Sequence, residues 1–186
     1  VTRIIAGSAG GRRLETPKGD STRPTSDRVR EALFSVLEAR GAVRGAVVLD
    51  LFAGSGALGL EAASRGAADV VLVDSSRQAT EAARANVAAL GMPRVSVVLA
   101  NALRHVEGRP SRPVDLAFLD PPYAMGEDDL AKVLAALAAG WLSDDGLVVV
   151  ERSSRSPEPR WPDGLVRSAV RRYGETSLWL AGTARD

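Results

Sequence analysis

Short apolar runs alternate with helical periodicity through most of this chain, and that alternation narrows its fold more than any other feature. Ala46 to Leu51 reads as a strand, Leu58 to Arg65 as a helix and Asp69 to Val73 as a strand. A helix follows from Arg77 to Leu90, stopped by Gly91 and Pro93, then a strand from Val95 to Leu99. Ala102 to Glu107 is a short helix, Val114 to Leu119 a strand, Asp128 to Ala139 a helix closed by Gly140, and Gly146 to Val150 a strand. Strands separated by helices return in the same direction, so the pattern predicts an α/β protein with a mostly parallel sheet covered on both faces. After a Ser-, Pro- and Arg-rich loop, Leu165 to Tyr173 and Thr176 to Ala181 flank Gly174-Glu175 as an antiparallel hairpin.

The N-terminal end is of another kind. Arg3 to Glu15 reads as a small β-hairpin about Gly10-Gly11, followed by a polar loop to Thr25. Ser26 or Asp27 then caps a helix running to about Arg40, with Val29, Leu33, Phe34 and Leu37 on one face. We therefore divide the chain into an extension, residues 1–40, and a main domain, residues 41–186. Charge is segregated in the same way. Residues 1–30 hold seven basic and three acidic side chains, against ten and fifteen in residues 31–150. A basic end beside an acidic middle suits a nucleic-acid partner. Arg28 and Arg30 stand in the first turn of the helix, where the macrodipole disfavours cations; this hints at a compensating anion, while each residue taken singly reads as solvated.

With no cysteine and a single histidine, His105, thiolate and histidine-rich metal sites are excluded. No apolar run approaches the ~18 residues of a membrane span and no signal peptide heads the chain. A cytoplasmic protein without a metal is expected. His105 reads as a surface or satisfied residue, and Trp141, Trp161 and Trp179 as packing residues.

The first strand of the alternation runs into Asp50-Leu51-Phe52-Ala53-Gly54-Ser55-Gly56-Ala57-Leu58-Gly59. A G-x-G-x-x-G between strand and helix permits a tight turn and a close approach of ligand to backbone, which points to a nucleotide-like cofactor; the alternative is a glycine turn that packs helix on sheet. Asp74 ends the second strand, where a carboxylate accepts hydrogen bonds from ribose hydroxyls, and this fits NAD as well as S-adenosylmethionine. Asp50 discriminates between them: beside the glycines it would repel a pyrophosphate and attract an ammonium or sulfonium. Asn101, at the end of the third strand, suits either an adenine edge or the cap of the next helix.

Asp120-Pro121-Pro122-Tyr123 ends the strand from Val114 to Leu119. Two prolines lack N–H groups and restrict their predecessors to extended backbone, so Asp120 is held at the strand's carboxyl end, where open α/β sheets bind ligands. A carboxylate, the Pro121 carbonyl and a flat ring suit a planar group bearing an NH2. Taken alone, the stretch equally fits a proline-rich turn with Tyr123 as a lid.

Asp50 to Gly59, Asp74 and Asp120-Pro121-Pro122-Tyr123 together resemble the class I S-adenosylmethionine-dependent methyltransferases that modify exocyclic amines. More narrowly, Arg3-Ile4-Ile5-Ala6-Gly7, Leu14, Thr22-Arg23-Pro24-Thr25, Arg28-Val29-Arg30-Glu31-Ala32-Leu33-Phe34 and Asp50 to Glu61 look like the RsmD family of bacterial 16S rRNA guanine-N2 methyltransferases. The resemblance covers nearly the whole chain. It implies a Rossmann-like fold with a seven-stranded sheet, and transfer of a methyl group to N2 of guanine 966 (bacterial rRNA numbering) in a partly assembled 30S subunit. The protein would act as a monomer, with ribosomal proteins as further candidate partners. S-adenosylmethionine would be held by Thr22, Arg23, Asp50, Phe52, Ala53, Gly54, Ser55, Gly56, Gly59, Asp74, Ser75, Asn101, Ala102 and Asp120, and would leave as S-adenosylhomocysteine. Asp120, Pro121, Pro122 and Tyr123 would be catalytic, and Arg3, Arg12, Arg13, Lys18, Arg23, Arg28 and Arg30 would hold RNA. Asp74 stands where such families more often carry Glu, and Tyr123 where some carry Phe.

Three readings compete. A DNA adenine-N6 or cytosine-N4 methyltransferase can share Asp-Pro-Pro-Tyr, but it usually needs a target-recognition insert, and none is visible. An NAD-dependent dehydrogenase leaves that motif without a task. A non-catalytic RNA-binding assembly factor could keep the fold alone.

Overall fold

The computed structural model describes residues 2–17 and 26–184. Strands β1 (Thr2–Arg3) and β2 (Arg13–Leu14) pair antiparallel as the expected small hairpin. Helix α1 (Asp27–Ala39) follows, with Ser26 as its cap accepting from the Val29 N–H. The alternation then runs β3 (Val47–Asp50), α2 (Ala57–Ser64), β4 (Asp69–Asp74), α3 (Arg77–Leu90), β5 (Val95–Leu99), α4 (Ala102–Glu107), β6 (Val114–Leu119), α5 (Glu127–Gly140) and β7 (Leu142–Ser153). Strands β8 (Leu165–Tyr173) and β9 (Thr176–Thr183) complete it.

Seven strands form one sheet in the order β5-β4-β3-β6-β7-β9-β8. The first five run parallel, whereas β9 is antiparallel to both β7 and β8. The chain moves outward from β3 to β5, then crosses back to β6. The crevice beyond the carboxyl ends of β3 and β6 is therefore the switch point, where open α/β sheets take their ligands. Asp50 at the end of β3 lies opposite Phe118 in β6, two residues before Asp120.

Each sheet face buries its own apolar cluster. One side packs Val48, Leu116, Phe118 and Val149 against α1 and the hairpin, through Ile4, Leu14, Val29, Leu33, Phe34 and Leu37. The Phe34 and Phe118 rings meet at 5.8 Å, a contact worth about 0.5–1.5 kcal/mol beyond the area it buries. The other side packs Leu49, Ala117, Leu119 and Val150 against Leu130, Val133, Leu134 and Leu137 of α5.

One boundary departs from the sequence reading. Strand β7 begins at Leu142, which already pairs with Val114, and not at Gly146. Residues 143–146 form an irregularity before the register resumes at Leu116 and Leu147, so the polar Asp144-Asp145-Gly146 step lies within a bulged strand. Trp141 and Trp179 are buried as expected, with the Trp141 indole donating to the Val106 carbonyl at 2.8 Å. His105 lies against Trp141 with ring centroids 5.3 Å apart, and burial lowers its pKa.

Candidate active site

A cavity of about 890 Å³ opens at the switch point. Its walls come from the carboxyl ends of β3, β4, β5, β6 and β7, and they include Asp50, Phe52, Ala53, Gly54, Ser55, Asp74, Ser75, Asn101, Ala102, Asp120, Pro121, Pro122 and Tyr123. Residues far apart in sequence thus meet as expected from the strand ends. Thr22, Arg23 and Lys18 lie outside the described residues.

Asp50 is buried, and its Oδ2 accepts from the Gly59 N–H at 3.1 Å. Its other oxygen is buried with no hydrogen-bond partner. Burial chiefly, opposed by the Gly59 N–H and reinforced by Asp74, pushes its pKa up to about 7. An orphaned carboxylate oxygen on a cavity wall calls for a cationic ligand, and the ammonium and sulfonium of S-adenosylmethionine meet that demand. Asp74 accepts from the Gly54 N–H through Oδ2 at 2.9 Å and from the Ser76 N–H through Oδ1 at 2.8 Å. Each carboxylate oxygen keeps a second lone pair, so the short Asp74 side chain holds the glycine loop and still has acceptor capacity for a ribose. Asn101 Oδ1 accepts from the Arg104 N–H, so the capping alternative is realised.

The glycines divide their labour. Gly54 has φ +57° and open space where a Cβ would stand. Gly56 and Gly59 admit the sheet: a Cβ would meet Leu72 at 2.8 and 2.3 Å respectively. Their value is close packing of α2 on β4.

Past β6, Pro121 is buried, Pro122 is exposed, and the Tyr123 side chain is 77% exposed at the cavity lip. The Met125 N–H donates to the Pro122 carbonyl at 2.9 Å and closes this loop.

Of the arginines expected to hold RNA, Arg12, Arg13 and Arg28 are exposed and Arg3 is half-buried. Arg30 is a correction. It is fully buried, donates to the Arg3 carbonyl at 2.7 Å and to Asp27 at 2.5 Å, and faces Glu61 at 4.0 Å. The anion that compensates its position in the first turn of α1 belongs to the protein itself.

Three positions that shape the site or its supports escaped the sequence reading. Glu61, fully buried, accepts from the Ile5 and Ala6 N–H groups and faces Arg65 at 3.6 Å, which fastens the hairpin to α2. Asn86, also buried, bonds both backbone groups of Glu15 and the Ser55 carbonyl. Arg152 lies on the cavity wall beside Met125. Asn86 and Glu61 carry a legible signal, a polar side chain on the apolar phase of a helix. Among the described residues no cluster fit to hold a metal ion is present, and no helix is long and apolar enough to cross a membrane.

Comparison with known proteins agrees with this geometry. Residues 2–182 match the family model described as Conserved hypothetical protein 95. The chain is 39% identical over 161 residues to Ribosomal RNA small subunit methyltransferase D of Escherichia coli, covering 86% of this chain and 79% of that protein. It is 35% identical to Bacillus subtilis YlbH, covering 95% and 96% of the two chains. The solved structure of Escherichia coli yhhF superposes with a TM-score of 0.85 at 36% identity, covering 97% of each chain. A magnesium protoporphyrin IX methyltransferase from Synechocystis, solved with S-adenosylmethionine bound, shares the fold alone, at 14% identity and a TM-score of 0.67 over 84% of this chain and 79% of that one. The sheet is that of a class I methyltransferase, and the chain belongs to the RsmD family, Conserved hypothetical protein 95.

Proposed function

We propose that this protein methylates 16S rRNA with S-adenosylmethionine, and that its target is the exocyclic N2 of one guanine, guanine 966 in bacterial numbering, in an assembling small subunit. One observation carries the reading: Asp50 and Asp120, at the ends of the adjacent strands β3 and β6, line one cavity whose lip carries the exposed ring of Tyr123. The relative named a ribosomal RNA small subunit methyltransferase supports the polymer class.

Asp50, Gly54, Ser55 and Asp74 would hold S-adenosylmethionine, which supplies an electrophilic methyl carbon and leaves as S-adenosylhomocysteine. The lone pair of guanine N2 is delocalised into the ring and is a poor nucleophile. Asp120 and the Pro121 carbonyl accept the two N2 hydrogens, which draws the nitrogen towards a tetrahedral shape and aims its lone pair. Positioning is the main contribution of these groups, and the displaced proton passes to Asp120 or to water. Tyr123 stacks on a base already flipped out or unpaired. Arg12, Arg13 and Arg28, exposed on the N-terminal extension, meet phosphates, with Arg3 beside them.

The test is transfer of labelled methyl to small subunits from a strain lacking the enzyme, with naked 16S rRNA and intact ribosomes alongside. Asp120→Ala should abolish transfer with cofactor binding retained. Loss of cofactor binding in that variant would make Asp120 structural, and transfer to DNA would move the substrate to the competing class.

A further inference from the structure

We infer that Arg152 is a positioning residue that sets the pose of the Pro121–Tyr123 loop, an inference that rests on the reading of that loop as the base-binding element. The loop leaves β6 at Leu119, which is paired with Val150 of β7. It ends at Met125, whose carbonyl accepts from Arg152 Nη2 at 3.1 Å. The same nitrogen donates to Glu127 in the first turn of α5 at 2.5 Å. Both ends of the loop are thus held by one strand, at positions two residues apart. Between them the Pro122 carbonyl and the Met125 N–H close the turn, and Tyr123 projects with most of its side chain in solvent. An aromatic ring that makes so little contact of its own takes its orientation from its backbone.

The ion pair with Glu127 is not the whole account of the arginine. Its side chain is 6% exposed, and both Arg152 Nε and Glu127 Oε2 are buried without a hydrogen-bond partner. Apolar replacement of both members of a buried ion pair is often neutral or stabilising, because desolvation offsets the attraction, whereas removing the arginine alone leaves Glu127 uncompensated. What an apolar residue cannot supply is a directed donor to the Met125 carbonyl, and that bond fixes where the loop ends.

The experiment compares Arg152→Met, and Arg152→Lys should Arg152→Met not fold, with the wild-type chain. Three quantities are read: S-adenosylmethionine binding by calorimetry, hydrogen exchange of the peptide containing Met125, and methyl transfer to small subunits from a strain lacking the enzyme. Cofactor affinity and stoichiometry should stay within about twofold, and exchange at Met125 should quicken at least about tenfold with β6 unchanged. The turnover number should fall by about 10–100-fold, as a small misplacement of reacting groups produces. In a Tyr123→Ala background the same substitution should cost less than about threefold, since the ring it positions is already gone. Unchanged exchange at Met125, or a turnover loss undiminished in that background, would overturn the inference. Should the wild-type protein transfer no methyl group, the proposed function falls, and exchange at Met125 still decides whether Arg152 holds the loop.

Discussion

The Asn86 side-chain amide donates to the Ser55 carbonyl at 3.0 Å and clasps both backbone groups of Glu15, so one buried residue of α3 joins the N-terminal arm to the glycine loop. Ser55 lines the cavity, and so do Thr16 and Pro17, the residues that follow Glu15. Removing the amide orphans part-buried backbone groups on both partners, at a cost of about 1 kcal/mol. Asn86→Ala should therefore weaken S-adenosylmethionine binding about five- to tenfold by calorimetry. Asn86→Asp is isosteric but turns two donors into acceptors facing carbonyls, so it should be at least as damaging. Wild-type affinity in both variants would refute this clamp.

Asp50 should make stability depend on pH in an unusual direction. Burial raises its pKa from the ordinary 3.8 to about 7. Between those values the folded chain keeps a proton that the unfolded chain has lost. The contribution is fully present below about pH 4 and is lost as pH rises towards 7. Urea midpoints should show this falling component, and Asp50→Asn should flatten it. Cofactor binding should run the other way, because a cation favours the ionised carboxylate. Affinity for S-adenosylmethionine should rise about tenfold between roughly pH 6 and 8 in the wild-type protein and stay flat in Asp50→Asn.

Glu61 answers two buried guanidinium groups, Arg30 at 4.0 Å and Arg65 at 3.6 Å, while accepting two backbone N–H groups of the hairpin. Truncating one member of a buried charge network leaves the others uncompensated, which costs about 3–5 kcal/mol. Glu61→Ala should lose that much in urea denaturation. Glu61→Gln keeps an acceptor for the hairpin and should lose less. A loss below about 1 kcal/mol for Glu61→Ala would show the network to be well hydrated.

The same network marks where sequence reading ends. Strand ends were legible because glycines follow Asp50, a capping serine follows Asp74 and prolines follow Asp120, so the three could be brought to one edge by topology alone. The pairing of β8 with β9 was legible from the Gly174-Glu175 turn between them. Arg30 could not be placed, because its fate depends on Glu61, which is 31 residues away and joined to it only when α1 and α2 fold against the hairpin. Cations in a first turn look the same whether they face phosphate or a buried carboxylate. Gly56 and Gly59 show the same limit: a glycine that admits a ligand and one that admits Leu72 obey the same local pattern. Arg152 gave no signal, since a strand residue bonding to a loop carbonyl leaves no periodic trace.

Tyr123 permits a test of the base platform that spares the cofactor. Its ring is 77% exposed on the lip of the cavity, so removing it creates no core void and should leave thermal stability unchanged. Stacking of a base on an aromatic ring is worth about 1–3 kcal/mol and needs only the ring face. Tyr123→Phe keeps the face and should retain wild-type transfer, whereas Tyr123→Ala should lower kcat/KM for the RNA substrate by about 5–150-fold. Calorimetry should find the S-adenosylmethionine affinity of both variants equal to wild type. If Tyr123→Phe lost as much as Tyr123→Ala, the hydroxyl and not the ring face would be the working group. If neither changed transfer, an exposed aromatic beside Asp120 would be a bystander to recognition, and the base would have to be held by other walls of the cavity.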